Sequence, residues 1–277
     1  MRLFIRGGKG NNVSVILSNL GHSSKALGFT AGFTGEALEN MLKEFGCDTA
    51  FIRLPEGSTR INVKINAGEE TEINGQGPVI TEEAQSALFE QLDALKEEDI
   101  LVLAGSIPNT LPSDIYERIL EHLQGRGIHF VVDATKELLL KVLKYHPFLI
   151  KPNNHELGEM FGVTLKTRDE IVTYAKKLQK MGAENVLVSM AGDGAILLTE
   201  DGIIYKAKPP KGKVLNSVGA GDSMVAGFLT GYLNTGEYEK AFRLGVVTGS
   251  ATAFQYWLAT KEDIVALMED KPETYGL

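Results

Sequence analysis

The chain has almost no cysteine and no recognisable metal-binding histidines. Cys47 is the only cysteine, which excludes an intramolecular disulfide and a cysteine metal cage, and fits a reducing compartment. The five histidines show neither HExxH nor any other ligand spacing. We therefore expect no metal site built from thiolates or imidazoles.

Clusters of positive charge are also missing. The 277 residues carry a formal net charge of −8, and no run of lysine or arginine stands out. We therefore expect neither a nucleic-acid surface nor one for anionic membranes. An acidic protein that handles an anionic substrate must instead concentrate positive charge locally.

Long apolar stretches are absent as well. The start, MRLFIRGGKGNN, is too short and too polar for a signal peptide, and no apolar run approaches membrane-spanning length. The sequence predicts a cytoplasmic protein with no membrane partner.

Short apolar runs alternate with amphipathic stretches along most of the chain. Such runs are typical of strands buried on both faces of a parallel sheet, and they are Ile100–Ala104, Phe130–Ala134, Phe148–Pro152 and Val186–Met190. The helical candidates between them are Glu82–Leu95, Pro112–Gln124 and Arg168–Met181. This alternation predicts a doubly wound α/β sandwich that binds ligands at the carboxyl ends of its strands.

One segment alternates strictly instead. In TRINVKIN, 59–66, apolar residues face one side, and Arg60 and Lys64 face the other. With Phe51–Leu54 before it and Glu70–Asn74 after it, we expect a small antiparallel flap that closes over a site. A plain hairpin at the sheet edge is the alternative. The sequence thus predicts a core of residues 1–47 and 76–277 and a β-lid of residues 48–75.

The stretch NSVGAGDSMVAGF, 216–228, reads as a glycine-rich turn followed by a helix that begins near Asp222. Free backbone N–H groups at a helix start attract anions, so Gly219, Ala220 and Gly221 suit a phosphate. A carboxylate beside them could accept the proton of an attacking hydroxyl during phosphoryl transfer. The alternative is that Asp222 merely caps the helix.

Four further signals follow strands or begin helices. GGKGNNVS, 7–14, supplies the local cation Lys9, although a plain turn would give the same pattern. KPNNHE, 151–156, could hold a hydrated Mg²⁺ through Asn153 and Glu156, or simply start a helix. SMAGDGA, 189–195, could wrap a phosphate or form a hairpin turn, and AGSIP, 104–108, presents Ser106. Their shared edge favours one ligand site.

Together these segments resemble the ribokinase-like carbohydrate kinases of the PfkB family. GGKGNNVSVILSNLG is similar to the family's N-terminal signature, and NSVGAGDSMVAGF to its C-terminal one. GFTGE, TRINVKI, TEINGQGP, KPPKG and GSATAF resemble the 1-phosphofructokinase branch. The resemblance covers nearly the whole chain and implies a three-layer α/β/α sandwich, a mostly parallel sheet and a β-lid that often serves as a homodimer contact.

The resemblance also implies a role for each matching position. Asp222 would be the base that deprotonates the 6-hydroxyl of fructose 1-phosphate for in-line attack on the γ-phosphate of ATP, with Gly219, Ala220 and Gly221 as the anion hole. Lys9, Arg60 and Ser106 would hold the sugar phosphate, and Gly8 and Asn12 would contact the sugar. MgATP would be bound by Lys151, by Asn153 and Glu156 through Mg²⁺ and its waters, by Ser189, Gly192 and Gly194, and by Ser250, Ala251 and Phe254 around the adenine.

The sequence departs from the family pattern at its start. Family members begin further upstream, with a strand that ends in an NPSLD-like motif whose aspartate binds sugar hydroxyls, so the resemblance implies that this strand is missing. Asn11 and Trp257 replace the branch's usual apolar residue and glycine. Two alternatives to the leading function follow: a tagatose 6-phosphate kinase, and a truncated, catalytically impaired protein that binds sugar phosphate or nucleotide.

Overall fold

The computed structural model describes residues 8–66 and 70–277, without the side chains of 63–66 and 70–72. The sequence hypotheses for the chain start, including Gly7, and for the Lys64 side chain therefore lie outside the described part. Within that part, no helix is both long enough and apolar enough to cross a membrane.

Helices and strands alternate along the chain, as the apolar pattern predicts. The helices are α1 (Lys9–Asn19), α2 (Gly32–Glu44), α3 (Glu82–Leu92), α4 (Ile115–Leu123), α5 (Lys136–Val142), α6 (Asn154–Met160), α7 (Arg168–Lys180), α8 (Ala220–Thr235), α9 (Tyr238–Ala253) and α10 (Lys261–Val265). The strands are β1 (Lys25–Ala26), β2 (Phe29–Ala31), β3 (Asp48–Thr49), β4 (Ile52–Leu54), β5 (Asn62–Asn66), β6 (Glu70–Asn74), β7 (Ile100–Ala104), β8 (His129–Asp133), β9 (Leu149–Ile150), β10 (Asn185–Ser189), β11 (Ala195–Leu198) and β12 (Ile204–Ala207).

The main sheet has the strand order β12-β11-β10-β9-β8-β7 in the described residues. Strands β7 to β10 run parallel, and β11 and β12 continue the sheet antiparallel. The parallel strands place their carboxyl ends along one edge, where the loops that follow them meet. This edge carries the candidate site.

Helices cover both faces of the sheet, and alternate strand residues face opposite layers. Val131 and Leu149 pack with buried residues of α1, α8 and α9. Their neighbours Val132 and Ile150 pack with buried residues of α4 and α7 on the other face. The unbroken apolar runs are explained by this burial on both sides. The predicted three-layer α/β/α sandwich is confirmed.

The segments around the predicted lid divide differently from the expectation. Strands β5 and β6 form an antiparallel hairpin, with Val63 opposite Ile73. Strand β4, which is formed by the last three residues of FIRL, pairs instead in parallel with β2. The inclusion of FIRL in an antiparallel flap is therefore wrong, because its hydrogen-bonding partner lies earlier in the chain. The boundaries of the core and the lid stay predictions.

The glycine-rich turn leads into α8, which packs closely against α9. A Cβ atom on Gly227 would lie 2.5 Å from the Thr248 Oγ1 atom, so only glycine lets the two helices approach this closely. Phe228 and Phe242, one from each helix, are fully or almost fully buried against the sheet. This packing fixes the height of the α8 amino terminus above the sheet edge.

Candidate active site

Asp222 lies in the first turn of α8 and points into the protein. The helix begins at Ala220, and its N-cap is Gly219, with no side-chain cap. The Asp222 side chain accepts a hydrogen bond at Oδ2 from Asn12 Nδ2 at 2.7 Å, and the residue is only 5% exposed. The interpretation of Asp222 as a helix cap is therefore wrong. A residue of α1 holds the carboxylate instead.

Burial makes Asp222 more basic than an ordinary aspartate. The pKa of Asp222 is raised to about 6, chiefly by desolvation and in part by the negative charge of Asp133. The hydrogen bond from Asn12 and the charges of Lys9 and Lys151 act in the opposite direction. A carboxylate with this pKa is ionised at neutral pH and still accepts a proton more readily than a solvated one.

Asp133 joins this cluster and was not among the residues that the sequence singled out. It ends β8, is 3% exposed, and places Oδ1 3.2 Å from Lys9 Nζ and 3.5 Å from Lys151 Nζ. Burial alone would lower the pKa of Lys9, but the charge and hydrogen bond of Asp133, with the charges of Asp222 and Glu156, raise it overall. The signal available in the sequence was an acid at the end of a buried strand.

The glycine turn brings the amino end of α8 to the same place. Gly219 has φ 81°, and a Cβ atom there would lie 2.8 Å from Leu258, so the turn requires glycine. The Ala220 N–H, predicted as a free donor for the phosphate, donates to the Ser217 carbonyl at 3.2 Å in this structure. Gly221 faces Lys151, whose Nζ would lie 3.1 Å from an added Cβ atom. A lysine and the amino end of α8 therefore flank the position predicted to bind a phosphoryl group.

The residues predicted for the sugar phosphate separate into a near group and one outlier. Gly8 is the N-cap of α1, with Lys9 as the first helical residue. A Cβ atom on Gly105 would lie 3.9 Å from that of Lys9, which places the exposed Ser106 on the same edge. Arg60 is exposed just before β5, and the described contacts do not tie it to the Asp222 cluster.

Asn153 and Glu156 bind each other at the start of α6. Asn153 Oδ1 accepts from the Glu156 N–H, and Glu156 Oε2 accepts from the Asn153 N–H, both at 2.8 Å. This is a capping box, the structural alternative that the sequence left open. Among the described residues, no group of three or more histidine, cysteine, aspartate or glutamate side chains could hold a metal. The two side chains fit a hydrated Mg²⁺ that arrives with a nucleotide, since Mg²⁺ keeps several waters and phosphate oxygens.

The predicted nucleotide turn lies beside this cap. An isolated parallel bridge pairs Asn153 with Ser189, the last residue of β10. The following 3₁₀ turn, Ala191–Asp193, leads into Gly194 and β11, so the hairpin interpretation is confirmed. Gly192 is exposed in this turn. Arg168 Nη2 donates to the Asp193 carbonyl at 2.6 Å and fastens the turn to α7.

The three residues predicted around the adenine lie at the end of α9. The Ser250 hydroxyl donates to the Val246 carbonyl at 2.8 Å, and Ala251 is buried. Phe254 is half-buried beneath the loop before α8, where a Cβ atom on Gly212 would come within 2.2 Å of its ring. Of the three side chains, the Phe254 ring presents the most open surface.

Comparison with known proteins identifies the family of the chain. The family model described as pfkB family carbohydrate kinase matches residues 3–262. The chain belongs to the pfkB family of carbohydrate kinases. A 1-phosphofructokinase of Bacillus subtilis is 53% identical over 264 residues, which cover 95% of this chain and 86% of the relative.

Two further relatives show how the pfkB family varies in substrate and assembly. A D-tagatose-1-phosphate kinase of Bacillus licheniformis is 38% identical over 248 residues, covering 89% of this chain and 81% of the relative. The tetrameric inhibited form of phosphofructokinase-2 from Escherichia coli superposes with a TM-score of 0.86 at 28% identity, covering 96% and 87% of the two chains. This pfkB-family chain therefore shares its fold with that phosphofructokinase-2 over 96% of its length.

Proposed function

We propose that the protein is a 1-phosphofructokinase, which transfers the γ-phosphoryl group of ATP to the 6-hydroxyl of D-fructose 1-phosphate. The observation that carries the proposal is the buried Asp222 carboxylate beside the Gly219–Gly221 turn and two lysines. The 53% identity to a 1-phosphofructokinase supports the choice of sugar phosphate.

The described residues suit each part of the reaction. As the 6-hydroxyl oxygen forms its bond to the γ-phosphorus, its proton passes to Asp222, and the bond to the β-phosphate oxygen breaks to release ADP. The charge spread over the moving phosphoryl group faces the amino end of α8 and Lys151. The products are fructose 1,6-bisphosphate and ADP.

The sugar phosphate is proposed to bind on the α1 side of the cluster. Lys9, Arg60 and Ser106 are assigned to the 1-phosphate, and Gly8 and Asn12 to the sugar. The raised pKa of Lys9 keeps its ammonium group charged for this task. Arg60 is exposed, so its role requires movement of the β5–β6 hairpin towards the cluster.

MgATP is proposed to lie across the carboxyl ends of β9 and β10. The bridge between Asn153 and Ser189 places the cap of α6 against the nucleotide turn, so one ligand can contact both. Glu156 would hold Mg²⁺ through water, since the cap uses its Oε2 atom and a carboxylate offers a second oxygen. Lys151, Gly192, Gly194, Ser250, Ala251 and Phe254 complete the proposed nucleotide site.

A homodimer through the β-lid is proposed from the apolar surface around the hairpin. Phe33 and Val79 are 75% and 74% exposed, and Ile61 and Ile73 on the hairpin are 49% and 56% exposed. Large exposed apolar side chains are typical of interfaces where they form one patch. The tetrameric form of the Escherichia coli relative shows that related chains assemble. The cytoplasm stays the predicted location.

A second candidate function is supported by the D-tagatose-1-phosphate kinase relative. Tagatose differs from fructose at one ring carbon, so the same cluster would serve both 1-phosphates. The tagatose 6-phosphate alternative places its phosphate at the opposite end of the sugar, away from the position assigned to Lys9.

The deciding experiment measures ADP release from MgATP with four sugars in parallel: fructose 1-phosphate, tagatose 1-phosphate, tagatose 6-phosphate and fructose 6-phosphate. We expect kcat/KM to be highest for fructose 1-phosphate and to be lost in Asp222→Asn. A preference for either tagatose phosphate would assign the corresponding rival activity. Calorimetric binding of ATP without turnover of any sugar would support the impaired-protein alternative.

A further inference from the structure

Asp133 is a buried charge that the proposed reaction assigns to neither substrate. Its Oδ1 atom lies 3.2 Å from Lys9 Nζ and 3.5 Å from Lys151 Nζ. The two lysines come from different elements, since Lys9 opens α1 and Lys151 follows β9. One carboxylate oxygen therefore connects the side assigned to the sugar phosphate with the side assigned to the nucleotide.

The backbone around Asp133 is fixed within the sheet. The Gly105 N–H donates to the Asp133 carbonyl at 3.1 Å, and the Lys151 N–H donates to the Val132 carbonyl at 3.2 Å. Neighbouring strands on both sides thus set the height and direction of the Asp133 side chain. Groups built on strands hold their geometry more closely than groups on loops.

We propose that Asp133 is a positioning residue that holds the Lys9 and Lys151 ammonium groups together, so that one preformed pair of cations receives both substrate phosphates. This inference rests on the proposed function. Two ammonium groups that lie 3.2 and 3.5 Å from the same oxygen atom repel each other, and the carboxylate shared between them offsets this repulsion. Lys151 is buried, so its ammonium group needs a charged partner within the protein.

Three other polar side chains of this region, Asp222, Glu156 and Tyr116, have partners of their own, so Asp133 is the one of the four that links the two lysines. Asp222 receives its hydrogen bond from Asn12, and Glu156 is occupied by its capping box. Tyr116 donates to the Gly105 carbonyl at 3.4 Å, and burial followed by the Asp133 charge raises its pKa, so it stays neutral. Asp133 alone among these four side chains contacts both ammonium groups.

The test measures binding and turnover of Asp133→Asn, which keeps the shape of the side chain and removes its charge. We expect weaker binding of both ATP and fructose 1-phosphate by calorimetry, and kcat/KM lowered roughly 10- to 100-fold, the size of loss expected from misplaced charged groups. Asp93→Asn is the matched control, because Asp93 is also ion-paired, with Arg126, but lies on the α3–α4 surface. Its kinetic constants should match those of the wild type.

A double-mutant cycle with Lys9→Met separates positioning from general destabilisation. If Asp133 acts partly by holding Lys9, the double variant should lose less activity than the product of the two single losses, with the remaining loss passing through Lys151. Losses that multiply would overturn the proposal, as would unchanged affinities in a folded Asp133→Asn protein. If Asp133→Asn fails to fold, Asp133→Glu keeps the charge and should bind both substrates at intermediate affinity. Wild-type affinity in Asp133→Glu, with its displaced carboxylate, would refute positioning.

The design distinguishes this proposal from the proposed function. Should the wild type prefer another sugar phosphate, the same variants are compared with that sugar. Should the wild type bind ATP but phosphorylate no sugar, the proposed function fails. The ATP affinity of Asp133→Asn then decides the role of Asp133 by itself.

Discussion

The Asp222→Asn substitution should stabilise the protein while it removes the activity. The folded state holds the Asp222 proton more tightly than the unfolded chain, because burial raises the pKa from 3.8 to about 6. Ionisation of this group therefore lowers the free energy of unfolding as the pH rises from about 4 to about 6. The difference of about 2 pKa units corresponds to about 3 kcal/mol. Asparagine keeps an oxygen for Asn12 and cannot ionise.

The assay compares denaturant unfolding of the wild type and Asp222→Asn at pH 7.5 and at pH 4. At pH 7.5 the variant should be more stable by up to about 3 kcal/mol, or by about 5–10 °C in midpoint temperature. At pH 4 the difference should be small, because the folded carboxyl is then protonated and the pH lies close to the unfolded pKa of 3.8, so little of the ionisation penalty applies. Turnover should fall by about 10²- to 10⁴-fold, the usual contribution of a general base.

Asp133→Asn is the control, because its stability should change in the opposite direction. It removes the carboxylate that pairs with the buried Lys151 ammonium group, so it should lower the stability at pH 7.5. If both variants were more stable than the wild type, the gain in Asp222→Asn would come from the loss of a negative charge in general and not from the desolvation of Asp222. An Asp222→Asn protein that is less stable at pH 7.5, or that retains substantial turnover, would refute the assignment of Asp222 as a desolvated base.

Three other predictions concern the same site. Wild-type kcat should fall as the pH drops through about 6, where Asp222 becomes protonated. In Asp133→Asn the fall should occur at lower pH, because the Asp133 charge raises the Asp222 pKa. A profile of kcat against pH tests both, and a fall at the same pH in the variant would exclude an effect of Asp133 on Asp222. Arg60→Ala should raise the KM for the sugar phosphate and leave that for ATP unchanged, whereas Arg53→Ala, an exposed control paired with α2, should change neither. Gly219→Ala should lower kcat and destabilise the fold by about 1–2 kcal/mol or more. The reason is that φ at Gly219 is 81° and the added Cβ atom would lie 2.8 Å from the Leu258 side chain. A well-folded, fully active variant would exclude a role of the turn in the mechanism.

The sequence predicted the strands of the buried sheet well, because burial on both faces leaves a continuous apolar run. Ile100–Ala104 matches β7 residue for residue, and the runs at β8 and β10 differ by one residue at each end. Strands β11 and β12 were not predicted, because their signals follow a glycine-containing turn that has several interpretations. FIRL was assigned a wrong partner, because alternation within a segment carries no information about which distant strand it pairs with.

The candidate site was predicted in its residue types but not in its contacts. The glycine turn and Asp222 are close in sequence, so local pattern reveals them together. Asn12 and Asp222 are 210 residues apart, and only the packing of α1 against α8 brings them into hydrogen-bonding distance. The raised pKa of Asp222 likewise depends on burial by the whole fold. Asp133 was missed because an acid at a strand end can serve many purposes.

The charges of the cluster explain why a base can operate beside an anionic phosphoryl group. Lys9 and Lys151 carry two positive charges, and Asp133 and Asp222, when ionised, carry two negative ones, so the four side chains sum to zero. When Asp222 takes the proton of the attacking hydroxyl, their sum becomes one positive charge. The site therefore becomes more favourable to the phosphoryl group as its transfer proceeds, which is the condition for stabilising a transition state over the ground state.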